Sequence, residues 1–323
     1  MKQGILGATA PKQASMLYTS VWIFVNLAVS IAIVLLNKWV YVYVGFPNIT
    51  MSCTHFIITS LGLAVCRHFG IFNPVRIPFQ TVVPLAVTFC GFVALTNLSL
   101  QNNAVGTFQL LKTLTMPTIM VIQTWCYAYR FSRTVVLSLV PIVFGVYLNC
   151  QFDLSFNALG SMFALSAVVI TSMYQVFVGE KQKELQVSSM QLLWYQAPMS
   201  VVLLLIAALV FESPLQWLAH SWSFNDLFMV LLTGLVAFVV NLTSYWIIGN
   251  TSPMAYNVLG QLKLSLTLLG GYLLFDDPLK PVQLVGVIMT VVGCMLYTHN
   301  KVCEQRRRLT DKQDHVVFSA KKP

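Results

Sequence analysis

Charge is what this chain has least of. Of its 323 residues, 9% are charged and 57% are hydrophobic. A water-soluble domain carries about 25% charged residues, so a soluble fold is excluded. Carboxylates are the scarcest group where they would matter most. Asp153, Glu180, Glu184, Glu212, Asp226, Asp276, Asp277, Glu304, Asp311 and Asp314 all fall in loops, tails or helix ends. An intramembrane enzyme needs a placed acid, base, nucleophile or metal, and the apolar runs offer none at a useful spacing. The same lack argues against transport coupled through a protonatable acid. Nor is there a C-x-x-C pair. Cysteines 53, 66, 90, 126, 150, 294 and 303 are scattered, so they read as small apolar fillers and not as a disulfide or zinc framework. No secretory or transit-type leader is evident, and the first spanning helix is expected to act as the targeting signal. No cofactor is expected.

Long apolar runs are what the chain does have. The pattern predicts an all-α integral membrane fold of about ten helices, near 18–43, 48–66, 79–99, 104–128, 134–150, 156–178, 190–211, 227–248, 254–275 and 281–298. Residues 1–17 form a tail, and 299–323 form a second, basic one. With the amino terminus placed in the cytosol, 15 of the 19 basic residues fall on the cytosolic side and only Lys280 on the other. Both termini are therefore expected in the cytosol. The net charge of +9 needs no nucleic-acid partner, because a basic tail lies well against an anionic leaflet.

The remaining three basic residues, Lys38, Lys112 and Lys263, sit within helices. A lysine at mid-bilayer costs on the order of 3 kcal/mol on insertion scales, so each needs a polar partner, water or an anion. On the ninth helix, Tyr256, Gly260, Lys263 and Thr267 share one face. On the fourth, Gln109, Lys112, Thr113 and Met116 do the same, and Pro117 deprives the Thr113 carbonyl of its helical donor. The two lysines are 151 residues apart, close to half the chain. That offset and the odd step of five helices from the fourth to the ninth suggest two inverted five-helix repeats, 18–150 and 156–298, with a site at their interface.

Several stretches resemble the triose-phosphate translocator and nucleotide-sugar transporter family of the drug/metabolite transporter superfamily. They are Leu36-Asn37-Lys38-Trp39, Asn97-Leu98-Ser99-Leu100, Gly160 to Lys181, and Tyr256 to Asp276. The resemblance implies ten helices, alternating access, and exchange of one phosphorylated solute for another. In plastid members the fourth and ninth helices supply lysines to the phosphate, and Lys112 and Lys263 match those places. Leu264 follows the second lysine, where plastid members have arginine and one nucleotide-sugar branch has threonine. GDP-mannose carriers read Gly-Ala-Leu-Asn-Lys, whereas Gly260 here is followed by Gln261, Leu262 and Lys263. The resemblance thus favours a UDP-sugar over GDP-mannose.

The candidate substrate site is Lys263 and Lys112 for phosphate, with Tyr256, Asn257, Gln261, Gln109 and Thr113 around them. The alternative for the amides is bonding between helices, and for Thr113 bonding to its own backbone. Tyr195 and Gln196, beside Trp194, offer a base pocket or plain packing. Lys38, flanked by Trp39 and Tyr41, is either a gate residue or a snorkelling belt lysine.

The expected activity is a secondary antiporter in a Golgi or endoplasmic reticulum membrane, exchanging a nucleotide sugar for a nucleoside monophosphate. A homodimer is compatible with the pattern. The rival readings are a sugar-phosphate or phosphate carrier, and a membrane interaction protein that retains a transporter fold without flux.

Overall fold

The computed structural model describes residues 16–103, 105–151, 157–212, 222–275 and 280–320. Described residues form helices and connecting loops, with no strand among them. In chain order the helices are α1 (Met16–Trp39), α2 (Asn48–His68), α3 (Phe79–Asn102), α4 (Val105–Lys112), α5 (Thr115–Tyr127), α6 (Arg133–Leu137), α7 (Leu139–Cys150), α8 (Ala158–Glu184), α9 (Ser189–Phe211), α10 (Phe224–Asn250), α11 (Pro253–Phe275) and α12 (Pro281–Ala320). Among the described residues, eight helices are long and apolar enough to cross a bilayer. Their outer faces show why: Val140, Phe144, Val202, Leu205, Ile206, Ile288 and Met295 are all exposed, which only an apolar solvent tolerates on this scale.

Local chemistry sets the helix ends. A π turn, Val40–Val44, follows α1, and Gly45 stops it at φ 70°, a left-handed conformation that glycine adopts without strain. The α9 start is a capping box, with Ser188 N donating to Gln191 Oε1 at 2.7 Å and Gln191 N to Ser188 Oγ at 3.3 Å. Asn157 Oδ1 accepts from Gly160 N to start α8. The start of α2 is capped from another helix: the Glu212 carboxylate accepts from Ile49 N, Thr50 N and Thr50 Oγ1. A carboxylate there satisfies orphan amides and suits the positive end of the helix dipole.

Four expectations shift. The runs expected as single helices at 104–128 and 134–150 are each two, α4 with α5 and α6 with α7. Helix α8 runs to Glu184, beyond 178, and α12 runs to Ala320, far beyond 298. Hydropathy marks where the apolar solvent ends, not where the helix ends. Past residue 298, Asn300 Nδ2 donates to Thr134 O at 3.1 Å, and Lys301 Nζ lies 5.6 Å from the Phe131 ring centre. These contacts dock the turn just past residue 298 against the start of α6.

The helices pack in related pairs. Helix α3 lies along α8 and α1 along α10, while α2 pairs with α9 and α7 with α12. In the α7–α12 pair the backbones meet. A Cβ on Gly145 would stand 2.4 Å from Thr290 Oγ1 and 2.6 Å from Gly286 O, so only glycine permits the contact. One core, with Leu63, Leu85, Leu192, Leu193 and Leu204 fully buried, joins α2, α3 and α9 to α8 and α10. A second, with Met116, Ile119, Ile142 and Met254, joins α5 and α7 to α11 and α12.

Candidate functional site

Pro117 initiates the site's geometry. Without a proline N–H, Thr113 O cannot receive its usual i+4 donor. The chain answers by tightening: Met116 N donates to Thr113 O at 3.1 Å, Thr113 N to Leu110 O at 3.1 Å, and Leu114 N to Leu111 O at 3.0 Å. These i+3 bonds end α4 at Lys112 and restart the helix at Thr115. The Thr113 carbonyl is therefore not left open. Thr113 is buried, and its hydroxyl donates to Leu110 O at 2.7 Å, which settles that side chain on its own backbone.

The break places Lys112 in the last turn of a short helix, where the dipole favours a cation. Its side chain is exposed within the bundle's surface, and Nζ lies 6.0 Å from the Phe108 ring centre. Gln109, one turn earlier, is half-buried.

Helix α11 brings the second lysine. Pro253 stands at its first position, and Ser252 Oγ accepts from Ala255 N at 3.1 Å. Lys263 is half-buried. Its helix packs against α5, the helix that follows the break after Lys112. Gly260, on the same face, is exposed, and a Cβ there would meet no atom within 4 Å. The face keeps open space one turn before Lys263.

The surrounding polar residues are less free than the sequence suggests. Asn257 is buried and donates to Gln175 Oε1 on α8 and to Pro253 O. Tyr256 OH accepts from Ser244 Oγ at 3.2 Å, and Ser244 in turn accepts from Asn26 Nδ2 on α1. Gln261 is 5% exposed. Gln196 is fully buried; its Nε2 reaches Tyr174 OH at 3.5 Å, and Oε1 has no partner among the described residues. Tyr174 donates to Tyr245 at 3.0 Å. Tyr195 is half-buried against the first core. Arg67 lies over the Trp194 ring at 5.2 Å and Phe72 meets it edge-on at 6.0 Å, so it is occupied by protein partners. Lys38 lies in the last turn of α1, and its side chain is outside the described residues.

Sequence reasoning missed Gln175, Asn26 and Ser244. The signal available was an amide or hydroxyl within an apolar run, which in a bilayer needs a partner on another helix.

Comparison with known proteins gives a consistent picture. The model of the Triose-phosphate Transporter family matches residues 14–298. A UDP-xylose transporter from Arabidopsis thaliana is 31% identical over 93% of this chain and 84% of its own length. A UDP-galactose transporter from the same plant is 29% identical, over 83% and 82%. A GDP-mannose transporter, also from that plant, is 28% identical over 83% and 81%. A solved crystal structure superposes with a TM-score of 0.72 at 14% identity, covering 88% of this chain and 98% of that one, a likeness of fold.

Proposed function

The chain belongs to the Triose-phosphate Transporter family, and from that premise we propose that it is a carrier exchanging a nucleotide sugar, with a UDP-sugar favoured, for a nucleoside monophosphate. The observation that carries this is the packing of α11, which bears Lys263, against α5, the helix that follows Lys112. Two neighbouring ammonium groups in an apolar bundle are stabilised by an anion placed between them. Each is a compact, three-donor point charge, suited to phosphate oxygens. A diphosphate and a monophosphate both fit that demand, so one site serves both substrates.

Exchange follows from the same charges. When the site is empty, the lysines repel each other, and reorienting them through the apolar core is unfavourable. A bound phosphate lowers that barrier in both directions. The described relatives named for UDP-xylose, UDP-galactose and GDP-mannose support a nucleotide sugar as the outward-specified substrate class. The pairing of α3 with α8 and of α1 with α10 supports two inverted five-helix repeats rocking about the site. The skew of basic residues supports cytosolic termini, and a Golgi membrane suits the substrate.

Counterflow in liposomes tests this. Purified protein is loaded with UMP, GMP, CMP or AMP, and uptake of labelled nucleotide and of UDP-sugars is followed. The reading requires exchange with one base, UMP foremost, and its loss in Lys263→Ala. Exchange with inorganic phosphate or triose phosphate alone would refute the nucleotide reading and leave a sugar-phosphate carrier.

A further inference from the structure

Helix α12 has two sides. One is turned to α7 and α11: a Cβ on Gly293 would stand 2.9 Å from Ile142 N, and the buried Cys294 Sγ reaches Val258 O at 3.6 Å. The other side carries Ile288, Val292, Met295 and Leu296, all exposed to the apolar solvent. Val292, Leu296, His299 and Cys303 follow the i, i+4, i+7, i+11 spacing of one face, so this stripe ends in an imidazole and a thiol. Cys303 Sγ lies 3.6 Å from His299 Nε2. Asn300 and Lys301, which stand between them in sequence, are turned to the bundle, Asn300 on Thr134 O and Lys301 at the Phe131 ring. We propose that His299 and Cys303 are half of a zinc site, which a second copy of this chain completes across a twofold axis.

The spacing points to the metal. Zinc binds thiolate sulfur at about 2.3 Å and imidazole nitrogen at about 2.0–2.1 Å in a tetrahedron. Two ligands at those lengths and about 109° apart stand about 3.5–3.6 Å from each other, which matches the Sγ–Nε2 distance here. A helix holds that spacing because side chains at i and i+4 share a face, the device by which paired helical histidines bind zinc. A set of thiolates and imidazoles selects zinc over the hard cations, which take oxygen ligands. Among the described residues no group of three histidine, cysteine or carboxylate side chains is placed to hold a metal. One chain therefore supplies two of the four ligands, and the site is incomplete alone.

The membrane supplies the symmetry. Two copies inserted in one bilayer share an orientation, so the twofold axis of a closed pair runs along the membrane normal and each residue meets its equivalent at the same depth. A pair joined along the exposed face of α12 brings two such half-sites together as a tetrahedron of two sulfurs and two nitrogens. The apolar stripe alone is a poor joint. In lipid, apolar side chains gain little by leaving the tails, and close helix pairs use small residues, which Ile288, Val292, Met295 and Leu296 are not. The metal is the specific bond. Its binding releases the proton of each thiol, and the two thiolates balance the charge of one zinc ion. With the termini in the cytosol, as proposed above, the thiols stay reduced and available.

The test does not depend on which solute is carried. Full-length protein is purified in detergent, stripped with EDTA, and titrated with Co²⁺ as a spectroscopic probe and with Zn²⁺. The expected results are thiolate-to-cobalt charge-transfer bands that saturate at one metal per two chains, their displacement by Zn²⁺, and a shift from monomer to dimer in light scattering that EDTA reverses. Cys303→Ser and His299→Ala, neither in a buried core, should each lose the bands and the shift while keeping the wild-type melting temperature. Cys126→Ser, which removes the exposed cysteine of α5, should keep both. Bands and dimers that survive Cys303→Ser, a dimer that persists in EDTA, or a chain that stays monomeric in saturating Zn²⁺ would each overturn the proposal.

Discussion

Helix α11 and the α4–α5 pair do the same work with opposite construction. Each carries one lysine of the proposed phosphate site. Helix α11 does so as a continuous helix from Pro253 to Phe275, with a glycine gap beside Lys263. The α4–α5 region does so by breaking at Lys112, with Pro117 forcing a tight turn. In the first, Gly260 leaves open space on the lysine-bearing face. In the second, the cation is stabilised by the helix end it sits on. A charge in an apolar bundle can thus be held by room or by backbone dipole, and this chain uses one device on each side.

The largest effect should come from removing either charge. Lys112→Met and Lys263→Met each lose a charge-assisted contact worth about 2–3 kcal/mol, so nucleotide exchange should fall by roughly 30- to 150-fold in counterflow. Lys112→Arg and Lys263→Arg should recover only part, because a planar fork does not replace a point charge.

The comparison sharpens if the break is repaired. Pro117→Ala restores the donor for Thr113 O and favours one continuous helix. Melting temperature should rise while exchange drops about tenfold, with Lys112 still present. A repaired helix with wild-type exchange would mean that the break is not part of the site.

Filling the gap tests the other device. Gly260→Val should fit without strain, since open space surrounds that position, and should lower exchange about fivefold by narrowing the approach to Lys263. Melting temperature should stay within a few degrees.

The smallest effect on transport should come from Asn257→Leu. Its amide ties α11 to Gln175 on α8, and such bonds between helices in membranes average about 0.6 kcal/mol. A melting point lower by a few degrees with near-normal substrate KM is the expected result. A rise in KM of tenfold or more would return Asn257 to the ligand.

The contrast between these regions also shows what the sequence makes legible. Apolar runs bounded by prolines such as Pro47, Pro78 and Pro253 fix most helix starts to within a few residues, because exclusion of polar groups from lipid is the strongest constraint on the chain. The lysines at 112 and 263 are legible for the same reason: a charge stands out where none is cheap. Partner choice among neutral polar residues is not legible. Tyr256, Asn257 and Trp194 look like ligand groups on a helical wheel, yet Ser244, Gln175 and Arg67 hold them. Those partners lie on other helices, and nothing local encodes which helix will be adjacent. The continuation of α12 to Ala320 is hidden for another reason, since polar helices carry no hydropathy signal.

The central claim is that Lys112 and Lys263 hold one phosphate-bearing ligand together. A double-mutant cycle on UMP affinity, measured by calorimetry with wild type, Lys112→Met, Lys263→Met and the double variant, addresses it most directly. The account predicts that each single change weakens binding by more than tenfold and that the double change costs clearly less than the product of the two, since both contacts serve the same group. Independent, multiplicative losses, or a single variant that binds UMP as tightly as wild type, would contradict it.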